Sequence, residues 1–481
     1  MRPYADITRD VDDAPAGEHV GALFDLDGTL VSGFTVTAFF IERIRTGQIS
    51  PGSAVEQFAS LLGHRFSGRE YTVLLEEAAA SLTGAAESEF AGLGQEVFRR
   101  YVAGAIYPES RALVRAHQAR GHRVAIVSSA TRYQVEPVAE ELGVEHIYCN
   151  HFETDDGVFT GRLLDPVCYG PGKLDAARRF AATTDVELER SFFYTDGAED
   201  VPLLEAVGEP RPTNPDKTLT RVAARNAWPV RRFSSRGIPG ARELIRTGLS
   251  YGAFFGSAVS ILPTWLLNRS RRDAVNLATT LFGEFGTALA GIRLQTTGEQ
   301  HLWSRRPALF LFNHQSAADP VIIARLLRRD FTGIAKKELS THPLAGPVFR
   351  VADTVFIDRK NHRKAVKALK PVVHTLKRGL SVAIAPEGTR SLGDRLGPFK
   401  KGPFHVAMEA AVPIVPIVIR NATDVLPRGG VFVRPNTVYV EVLPPIDVSG
   451  WKVKNLDRHV ADVRQLFLDT LEQDDAQAPE R

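Results

Sequence analysis

The stretch Gly21-Ala22-Leu23-Phe24-Asp25-Leu26-Asp27-Gly28-Thr29-Leu30 decides the fold of the first half of this 481-residue chain. Its apolar residues 22–24 predict a buried strand. The strand runs directly into Asp25 and Asp27, two carboxylates that repel each other unless a cation or different protonation states separate them. Gly28 allows the tight turn that such a loop needs. The stretch therefore predicts an acidic site at the end of a buried strand.

Three later segments place polar side chains in a similar way. The apolar strand RVAIVSSAT (123–131) leads to Ser128, and FFYTDGAED (192–200) carries Asp196 at a strand end with Asp200 four residues later. Lys173 lies between them in PGKLDAARRF. Each residue alone is more often structural than catalytic. Together, in this order after FDLDGTL, they resemble the four motifs of the haloacid dehalogenase superfamily of phosphatases.

The resemblance implies an α/β domain with a Rossmann-like parallel sheet, expected over residues 21–235. By resemblance, Asp25 attacks phosphorus to form an aspartyl-phosphate, while Asp27 protonates the leaving oxygen and later activates water. The resemblance also implies a Mg²⁺ cofactor, held by the Asp25 carboxylate, the Asp27 carbonyl and Asp196, with Asp200 supporting that set.

The same resemblance assigns the phosphoryl oxygens to Ser128 and Lys173. Residues 33–108, between the first two motifs, have helical periodicity and match the helical cap of the phosphoserine-phosphatase-like branch. In that branch the cap selects the substrate, which the sequence does not specify.

A second landmark is the apolar stretch TGLSYGAFFGSAVSILPTWLLN (247–268), which contains no charged side chain. As a helix it spans about 33 Å, enough to cross a bilayer. Small residues recur every fourth position from Gly248 to Ser260 and favour close approach of another helix. The wider segment 241–292 predicts membrane association, either spanning the bilayer or half-buried in it as a two-helix anchor. A buried linker helix in a soluble protein is the alternative.

Overall composition describes a folded protein, with 44% hydrophobic and 24% charged residues and a net charge of +3. That balance gives no argument for nucleic acid, although basic clusters in the second half suit an anionic membrane surface. The two cysteines, Cys149 and Cys168, are too few for a disulfide framework and indicate a reducing compartment. Residues 1–20 are polar and acidic and predict a flexible leader. We expect both active sites to face the cytoplasm.

The second half opens with another strand that ends in a polar motif. The apolar run 307–312 leads into Asn-His-Gln-Ser-Ala-Ala-Asp, in which His314 and Asp319 are five residues apart. A His paired with a carboxylate is a general base of fixed tautomer. A lone His at a strand end is more often structural.

Further segments give this motif its context: TVFIDR (354–359), APEGTRS (385–391) and AVPIVPIVI (411–419). With NHxxxxD they resemble the glycerolipid acyltransferases that acylate lysophosphatidic acid. Asp353 stands where those proteins usually carry Gly. The resemblance implies an α/β acyltransferase domain, expected over residues 293–475.

In that family, the residue at His314, oriented by Asp319, takes the proton from the acceptor hydroxyl as it attacks an acyl thioester, acyl-CoA or acyl carrier protein. The acceptor is a lysophospholipid. Its phosphate is expected to meet residues of two motifs, namely Arg359, Glu387, Gly388, Thr389 and Arg390. Since a carboxylate repels phosphate, Glu387 is expected in this set to hydrogen-bond a glycerol hydroxyl or to hold Arg390.

The two resemblances thus imply a bifunctional enzyme of phospholipid biosynthesis that makes phosphatidic acid and hydrolyses a phosphomonoester. Two alternatives stay open. The acceptor is another lysophospholipid or a glycolipid, or the phosphatase half acts on phosphoserine-like small molecules or serves as a non-catalytic regulatory module.

Overall fold

The computed structural model describes residues 4–47, 68–237, 239–343, 345–357, 369–391 and 396–472. The chain divides into two compact units, residues 1–238 and 239–479. Both are α/β, which confirms the predicted fold class.

The first unit is built on a five-stranded, fully parallel sheet of order β3-β2-β1-β6-β7. Its strands, with the hairpin β4–β5, are β1 (Gly21–Phe24), β2 (Arg123–Thr131), β3 (His146–Asn150), β4 (Phe152–Asp155), β5 (Val158–Leu163), β6 (Phe192–Thr195) and β7 (Glu209–Pro212). Its helices are α1 (Ala5–Asp12), α2 (Thr35–Arg45), α3 (Gly68–Ala80), α4 (Glu87–Val97), α5 (Pro108–Ala119), α6 (Arg132–Leu142), α7 (Pro171–Thr184), α8 (Val201–Ala206) and α9 (Lys217–Arg225).

The central position of β1 places the predicted site. All four residues of β1 are buried, and apolar clusters cover both faces of the sheet. In a parallel sheet the carboxyl ends of the strands meet at one edge, where ligands bind. Helices α2, α3 and α4 lie within residues 33–108, the range predicted for the cap.

The N-terminal segment differs from the predicted flexible leader. Residues Ala5–Asp12 form α1, and Val11 is fully buried in the core. Asp10 accepts hydrogen bonds from Arg231 at 2.6 Å and Arg211 at 2.8 Å. The sequence does not show that this segment is held in place, because both arginines lie about 200 residues further along the chain than Asp10.

A buried hydrogen-bonded series also fastens this segment. His122 Nε2 lies 2.8 Å from the Pro15 carbonyl, which can only accept, so this nitrogen carries the hydrogen. Burial lowers the pKa of both His122 and His117, which keeps the two rings neutral. His117 Nδ1 therefore donates to His122 Nδ1 at 2.8 Å, and the Tyr194 hydroxyl donates to His117 Nε2 at 2.9 Å.

The second unit contains a seven-stranded sheet of order β11-β10-β12-β9-β13-β14-β8, in which β13 and β14 are antiparallel and the other neighbours are parallel. Its strands are β8 (Ile292–Thr297), β9 (Leu309–Phe312), β10 (Phe331–Lys336), β11 (Val355–Ile357), β12 (Ser381–Ile384), β13 (Ile414–Ile419) and β14 (Asn436–Val442). Its helices are α10 (Ala241–Val259), α11 (Ile261–Asn268), α12 (Arg271–Ala290), α13 (His301–Ser304), α14 (Asp319–Leu327), α15 (Ala345–Val351), α16 (Lys370–Lys377), α17 (Gly402–Ala410), α18 (Ala422–Val425) and α19 (Leu456–Glu472).

Helices α10 and α11 form the apolar segment. Within the described part of the chain, residues 241–268 are the one stretch long and apolar enough to cross a membrane, and 6% of its most apolar window is buried. The predicted small-residue stripe is not a helix contact: no heavy atom lies within 4 Å of a Cβ built on Gly248, Gly252 or Gly256. The buried residues of α10 are Thr247, Ala253 and Ser257, a set that includes none of these glycines.

Close helix packing occurs instead between α12 and α14. A Cβ on Gly283 would lie 2.6 Å from the Arg325 nitrogen, and one on Gly286 would lie 2.5 Å from Val321 Cγ2. Gly283 lets the two helix backbones approach, and Gly286 leaves room for the Val321 side chain. Helix α14 begins at Asp319, so this contact supports the predicted catalytic motif.

Candidate active sites

The first site is a buried carboxylate cluster around one lysine. Asp25 follows β1, and its Oδ2 lies 3.1 Å from Lys173 Nζ. Lys173, in the first turn of α7, also donates to Asp200 Oδ2 at 2.8 Å. The Leu26 N–H donates to Asp25 Oδ1 at 2.7 Å. The structure thus brings together three of the predicted residues from three separate elements.

Asp27 is oriented by the first residue of α2, at the start of the range predicted for the cap. Its carboxylate accepts hydrogen bonds from the Thr35 backbone N–H at 2.8 Å and from the Thr35 hydroxyl at 3.3 Å. The Gln134 amide donates to the same hydroxyl at 2.9 Å. Sequence reasoning missed Thr35 and Gln134, since neither belongs to a motif. The first residue of α2 therefore sets the direction of the predicted acid–base group.

Burial changes the protonation of these groups. It raises the pKa of Asp25 to about 7, with Lys173 opposing the shift and Asp200 adding to it. Burial also raises the pKa of Asp27 to about 6. The pKa of Asp196 rises well above its ordinary value, first through burial and then through the charge of Asp25. Burial alone would lower the Lys173 pKa, but Asp200 and Asp25 raise it well above its ordinary value.

The donor set fits a hard divalent cation. A Cβ on Gly28 would lie 2.0 Å from Asp196 Oδ2, so this carboxylate rests against the Asp25–Gly28 turn. Asp200 Oδ1 is buried and has no hydrogen-bond partner among the described residues. The cluster contains more carboxylates than the one positive charge of Lys173 can balance. The metal-binding atoms of these carboxylates are all oxygens, which Mg²⁺ prefers. Among the described residues, no three His, Cys, Asp or Glu side chains are grouped so that they alone could hold a metal ion. The expected set does not need such a group, because one of its ligands is the Asp27 backbone carbonyl.

Ser128 and two tyrosines complete the rim of this site. Ser128 is buried within β2, and its Oγ accepts from the Ala130 N–H at 3.1 Å. Tyr71 on the cap helix α3 donates to the Ser129 carbonyl at 2.6 Å and stacks on Tyr169 with ring centres 4.2 Å apart. Through Ser129 and Tyr169, the two tyrosines join α3 to β2, which carries Ser128, and to the segment before α7, which carries Lys173. No motif in the sequence signals this contact.

The second site centres on His314, which follows β9. His314 Nδ1 lies 2.7 Å from Asp319 Oδ2, and Asp319 is completely buried. The same oxygen accepts from the backbone N–H groups of Gln315 at 2.9 Å and Ser316 at 3.0 Å. Three donors therefore converge on one carboxylate oxygen, so His314 carries its hydrogen on Nδ1 and presents Nε2 as an acceptor.

Glu387 holds the backbone of this loop, contrary to the prediction that it contacts phosphate. Its Oε1 accepts from the His314 N–H and its Oε2 from the Gly397 N–H, both at 2.9 Å. The side chain is buried, and burial raises its pKa although these two hydrogen bonds oppose the shift. Both carboxylate oxygens of Glu387 therefore accept hydrogen bonds from the backbone of the protein itself. The Ser391 N–H fixes the other side by donating to the His314 carbonyl at 2.8 Å.

Basic groups line the neighbouring turn. Gly388 has a φ of +74°, and a Cβ on it would lie 2.8 Å from Lys400 Nζ. Thr389 is exposed and Arg390 is partly buried. The Lys400 ammonium adds a cation that the motifs did not single out. The predicted Arg359 lies outside the described residues.

Asp353 and Asn313, which stand beside the sequence motifs, show how the backbone of these segments is held. Asp353, at the position where a Gly was usual, has a φ of +54°, the left-handed conformation that favours Gly. Asn313 donates to the Ile419 carbonyl and accepts from the Ile419 N–H, each at 2.7 Å. This amide attaches the start of the His314 loop to β13.

The folds and sites define a protein with two enzyme domains, a haloacid dehalogenase-like hydrolase and an acyltransferase. Residues 22–205 match the family model of haloacid dehalogenase-like hydrolases, and residues 293–420 match that of acyltransferases.

Two named proteins agree with this division, each matching about half of this chain. The 1-acyl-sn-glycerol-3-phosphate acyltransferase of Limnanthes alba is 33% identical over 219 residues, 45% of this chain and 76% of that protein. The Inhibition of morphological differentiation protein of Streptomyces azureus is 31% identical over 266 residues, 52% of this chain and 94% of that protein. The solved 1-acyl-sn-glycerophosphate acyltransferase of Thermotoga maritima has 24% identity and a TM-score of 0.41, covering 48% of this chain and 97% of that one. The chain belongs to the 1-acyl-sn-glycerol-3-phosphate acyltransferase family through its second unit, and its first unit is a haloacid dehalogenase-like hydrolase.

Proposed function

We propose that the second unit transfers an acyl group from acyl-CoA or acyl carrier protein to 1-acyl-sn-glycerol 3-phosphate, giving phosphatidic acid. The observation that carries this proposal is the 2.7 Å contact between His314 Nδ1 and Asp319 Oδ2. It leaves Nε2 free to take the proton of the acceptor hydroxyl. The hydroxyl oxygen then bonds to the thioester carbonyl carbon, the C–S bond breaks, and the thiolate takes the proton from the imidazolium.

The phosphate of the acceptor meets the turn beside His314. Arg390 and the Thr389 hydroxyl supply donors, and Lys400 adds a second cation over Gly388. The Gly388 N–H, expected to donate as well, instead donates to the Ala385 carbonyl at 3.2 Å. Arg359 is proposed for the same role on the sequence motif alone. Glu387 acts indirectly, by holding the backbone of His314.

For the first unit we propose phosphomonoester hydrolysis. Asp25 bonds to phosphorus while the ester P–O bond breaks, and Asp27 gives its proton to the leaving oxygen. Asp27 then takes a proton from the water that hydrolyses the aspartyl-phosphate. Ser128 and Lys173 bind phosphoryl oxygens. Mg²⁺ would be held by Asp25, the Asp27 carbonyl and Asp196, and it would neutralise charge on the phosphoryl oxygens. Asp200 orients Lys173 through their hydrogen bond.

The two active sites are proposed to work in a membrane-associated protein and to face the cytoplasm. The exposed apolar helix α10 supports the association. The domain limits proposed are 21–235 for the hydrolase, 241–292 for the membrane-associating segment and 293–475 for the acyltransferase. Residues 4–20 belong to the hydrolase unit.

Detergent-purified wild-type protein, His314→Ala and Asp25→Asn test both activities. We expect His314→Ala to lose acyl transfer to lysophosphatidic acid and keep phosphatase activity, and Asp25→Asn to show the reverse pattern. Transfer to another lysolipid but not to lysophosphatidic acid would show that the proposed acceptor is wrong. Absence of hydrolysis with a panel of lipid and small-molecule phosphomonoesters would make the first unit a regulatory module.

A further inference from the structure

We propose that the loop from Arg428 to Arg434 is a second lipid-contact element, which rests beside α10 on a bilayer and joins that surface to the acceptor site. The proposal rests on the acyltransferase function proposed above. It adds a protein surface outside the helices 241–292, from which membrane association was expected.

The first observation is a single exposed apolar face on α10. Leu244, Tyr251, Phe255 and Val259 recur at helical spacing and are 42% to 74% exposed. The three glycines without neighbours lie on the same face. Helix α11 continues the apolar character, with Leu267 86% exposed.

The loop lies along the edge of this face. The Val433 N–H donates to Thr247 Oγ1 at 2.9 Å, and the Tyr251 hydroxyl lies 3.4 Å from the Val431 carbonyl. Thr247 and Tyr251 are one helical turn apart, so the loop runs beside α10. Its apolar side chains Val431 and Phe432 are 59% and 38% exposed and extend the face beyond the helix.

The same loop reaches the acceptor site. Arg428 Nη1 donates to the Arg390 carbonyl at 2.9 Å and lies 3.4 Å from the Ser391 carbonyl. Ser391 in turn donates to the His314 carbonyl. One short loop therefore contacts both the apolar helix and the turn proposed to bind phosphate.

The chemistry of the loop fits a phospholipid surface as occupant. Its two central residues are apolar, and arginines stand at both ends, Arg428 and Arg434. Apolar side chains enter the boundary of the acyl region while cationic ones favour the anionic headgroups. The proposed acceptor combines the same two parts, an acyl chain and a phosphate.

Site-specific fluorescence tests the proposal. Both native cysteines are buried in the first unit, so Val431→Cys can be labelled selectively with a polarity-sensitive dye such as NBD. Vesicles of phosphatidylcholine with a minority of phosphatidylglycerol should shift its emission to shorter wavelength. Leu267→Cys on α11 should shift likewise. Val453→Cys should not shift. Val453 is 66% exposed and lies two residues after Trp451, which packs on the face of the sheet that carries Leu309 and Leu311, whereas Val433 of the loop packs on the opposite face with Phe310.

Each other outcome overturns the proposal in a distinct way. A shift at residue 267 without one at 431 leaves membrane association intact and removes the loop from it. A shift at 431 with rising protein concentration and no vesicles identifies a second copy as occupant. No shift at either position contradicts membrane association itself, while acyl transfer in detergent, measured separately, still tests the chemistry.

A functional measurement complements the dye. Phe432→Asp should lower kcat/KM about tenfold for a long-chain lysophosphatidic acid presented in vesicles, because the loop loses apolar contact with the lipid. The rate with a short-chain acceptor in free solution should be unchanged. Val453→Asp is the matched control and should alter neither rate. Equal loss with both acceptors would show that the loop supports the site and does not contact lipid.

Discussion

Asp319 uses one carboxylate oxygen for three hydrogen bonds, and its second oxygen is buried without a partner among the described residues. Asp319→Asn can therefore keep all three contacts through its amide oxygen while it loses the negative charge that stabilises a protonated His314. We expect kcat for acyl transfer to fall about 10²-fold with KM nearly unchanged. Steady-state kinetics with both substrates varied measures this. A loss as large as that of His314→Ala would mean that the ring has also lost its orientation.

Glu387 distinguishes a structural contact from a substrate contact. Glu387→Gln leaves one acceptor oxygen for two backbone N–H groups and turns an NH₂ group toward the second. We expect the free energy of unfolding to fall by about 1–3 kcal/mol, since a buried donor is left unpaired. Denaturant unfolding of the variant measures this loss. A rise in KM for the acceptor without a change in stability would favour the direct contact predicted from the sequence.

Lys400 and Lys401 are neighbours with different contacts. Lys401 pairs with Asp457 at 2.5 Å, whereas Lys400 lies over Gly388. We expect Lys400→Ala to raise KM for lysophosphatidic acid about tenfold or less, as one exposed charge-assisted contact is lost. Lys401→Ala serves as the control and should not change KM. Equal effects of the two variants would point to general attraction of the anion.

At the scale of single residues, the sequence predicted the groups that belong to recognisable motifs. His314 and Asp319 are five residues apart and meet as expected. Glu387 was misplaced because its partner Gly397 and its partner His314 belong to separate segments, and a sequence does not show which backbone N–H groups a fold leaves unpaired. Thr35 and Tyr71 were missed because neither belongs to a motif.

At the scale of helices, the same substitution should have opposite effects at two glycines. Gly283→Ala forces a methyl group against the backbone of α14, and we expect a loss of about 1–3 kcal/mol in the free energy of unfolding. Gly252→Ala meets open space on α10 and should be neutral or gain up to about 1 kcal/mol from helix propensity. Thermal unfolding in detergent compares the two. A loss at Gly252 would indicate that another helix packs there.

These glycines also show why helix contacts were hard to predict. The regular spacing of Gly248, Gly252 and Gly256 predicted an interface, but the glycines that do permit close approach are Gly283 and Gly286. Spacing identifies a face of a helix and leaves open which neighbour covers it. Helix α1 was missed because its anchoring partners are arginines more than 200 residues away.

At the scale of the molecule, each unit should respond to its own ligand. The pKa values of about 7 for Asp25 and about 6 for Asp27 exceed the ordinary 3.8. Between pH 3.8 and these raised pKa values, the two carboxyl groups keep protons in the folded unit that they have released in the unfolded chain. Rising pH therefore lowers the free energy of unfolding over this pH range. Mg²⁺ should restore stability most at the upper end, where the carboxylates are charged.

Hydrogen exchange followed by mass spectrometry measures this response. With Mg²⁺, peptides covering residues 21–30 and 192–200 should exchange more slowly, and those covering 309–319 should not change. Asp25→Asn should reduce the protection. Protection confined to the second unit would contradict the assignment of the metal to the carboxylate cluster.

The order of motifs predicted both domains because strand ends in parallel sheets bring distant polar residues together. The sequence did not predict the joining of the cap to the core through Tyr71 and Tyr169, nor the loop beside α10. Both are contacts between segments with no shared pattern. The acceptor and the phosphatase substrate depend on such contacts, and this is why motifs define the chemistry more closely than the substrates.

The series from Tyr194 through His117 and His122 to Pro15 has a spectroscopic consequence. Because its direction is fixed by a carbonyl that can only accept, each imidazole holds a single tautomer and one hydrogen shielded from water. Two ring protons should therefore appear as separate low-field signals in a proton NMR spectrum, away from the amide envelope. Loss of these two signals would therefore report that the N-terminal segment, which includes α1, has detached from the rest of the unit.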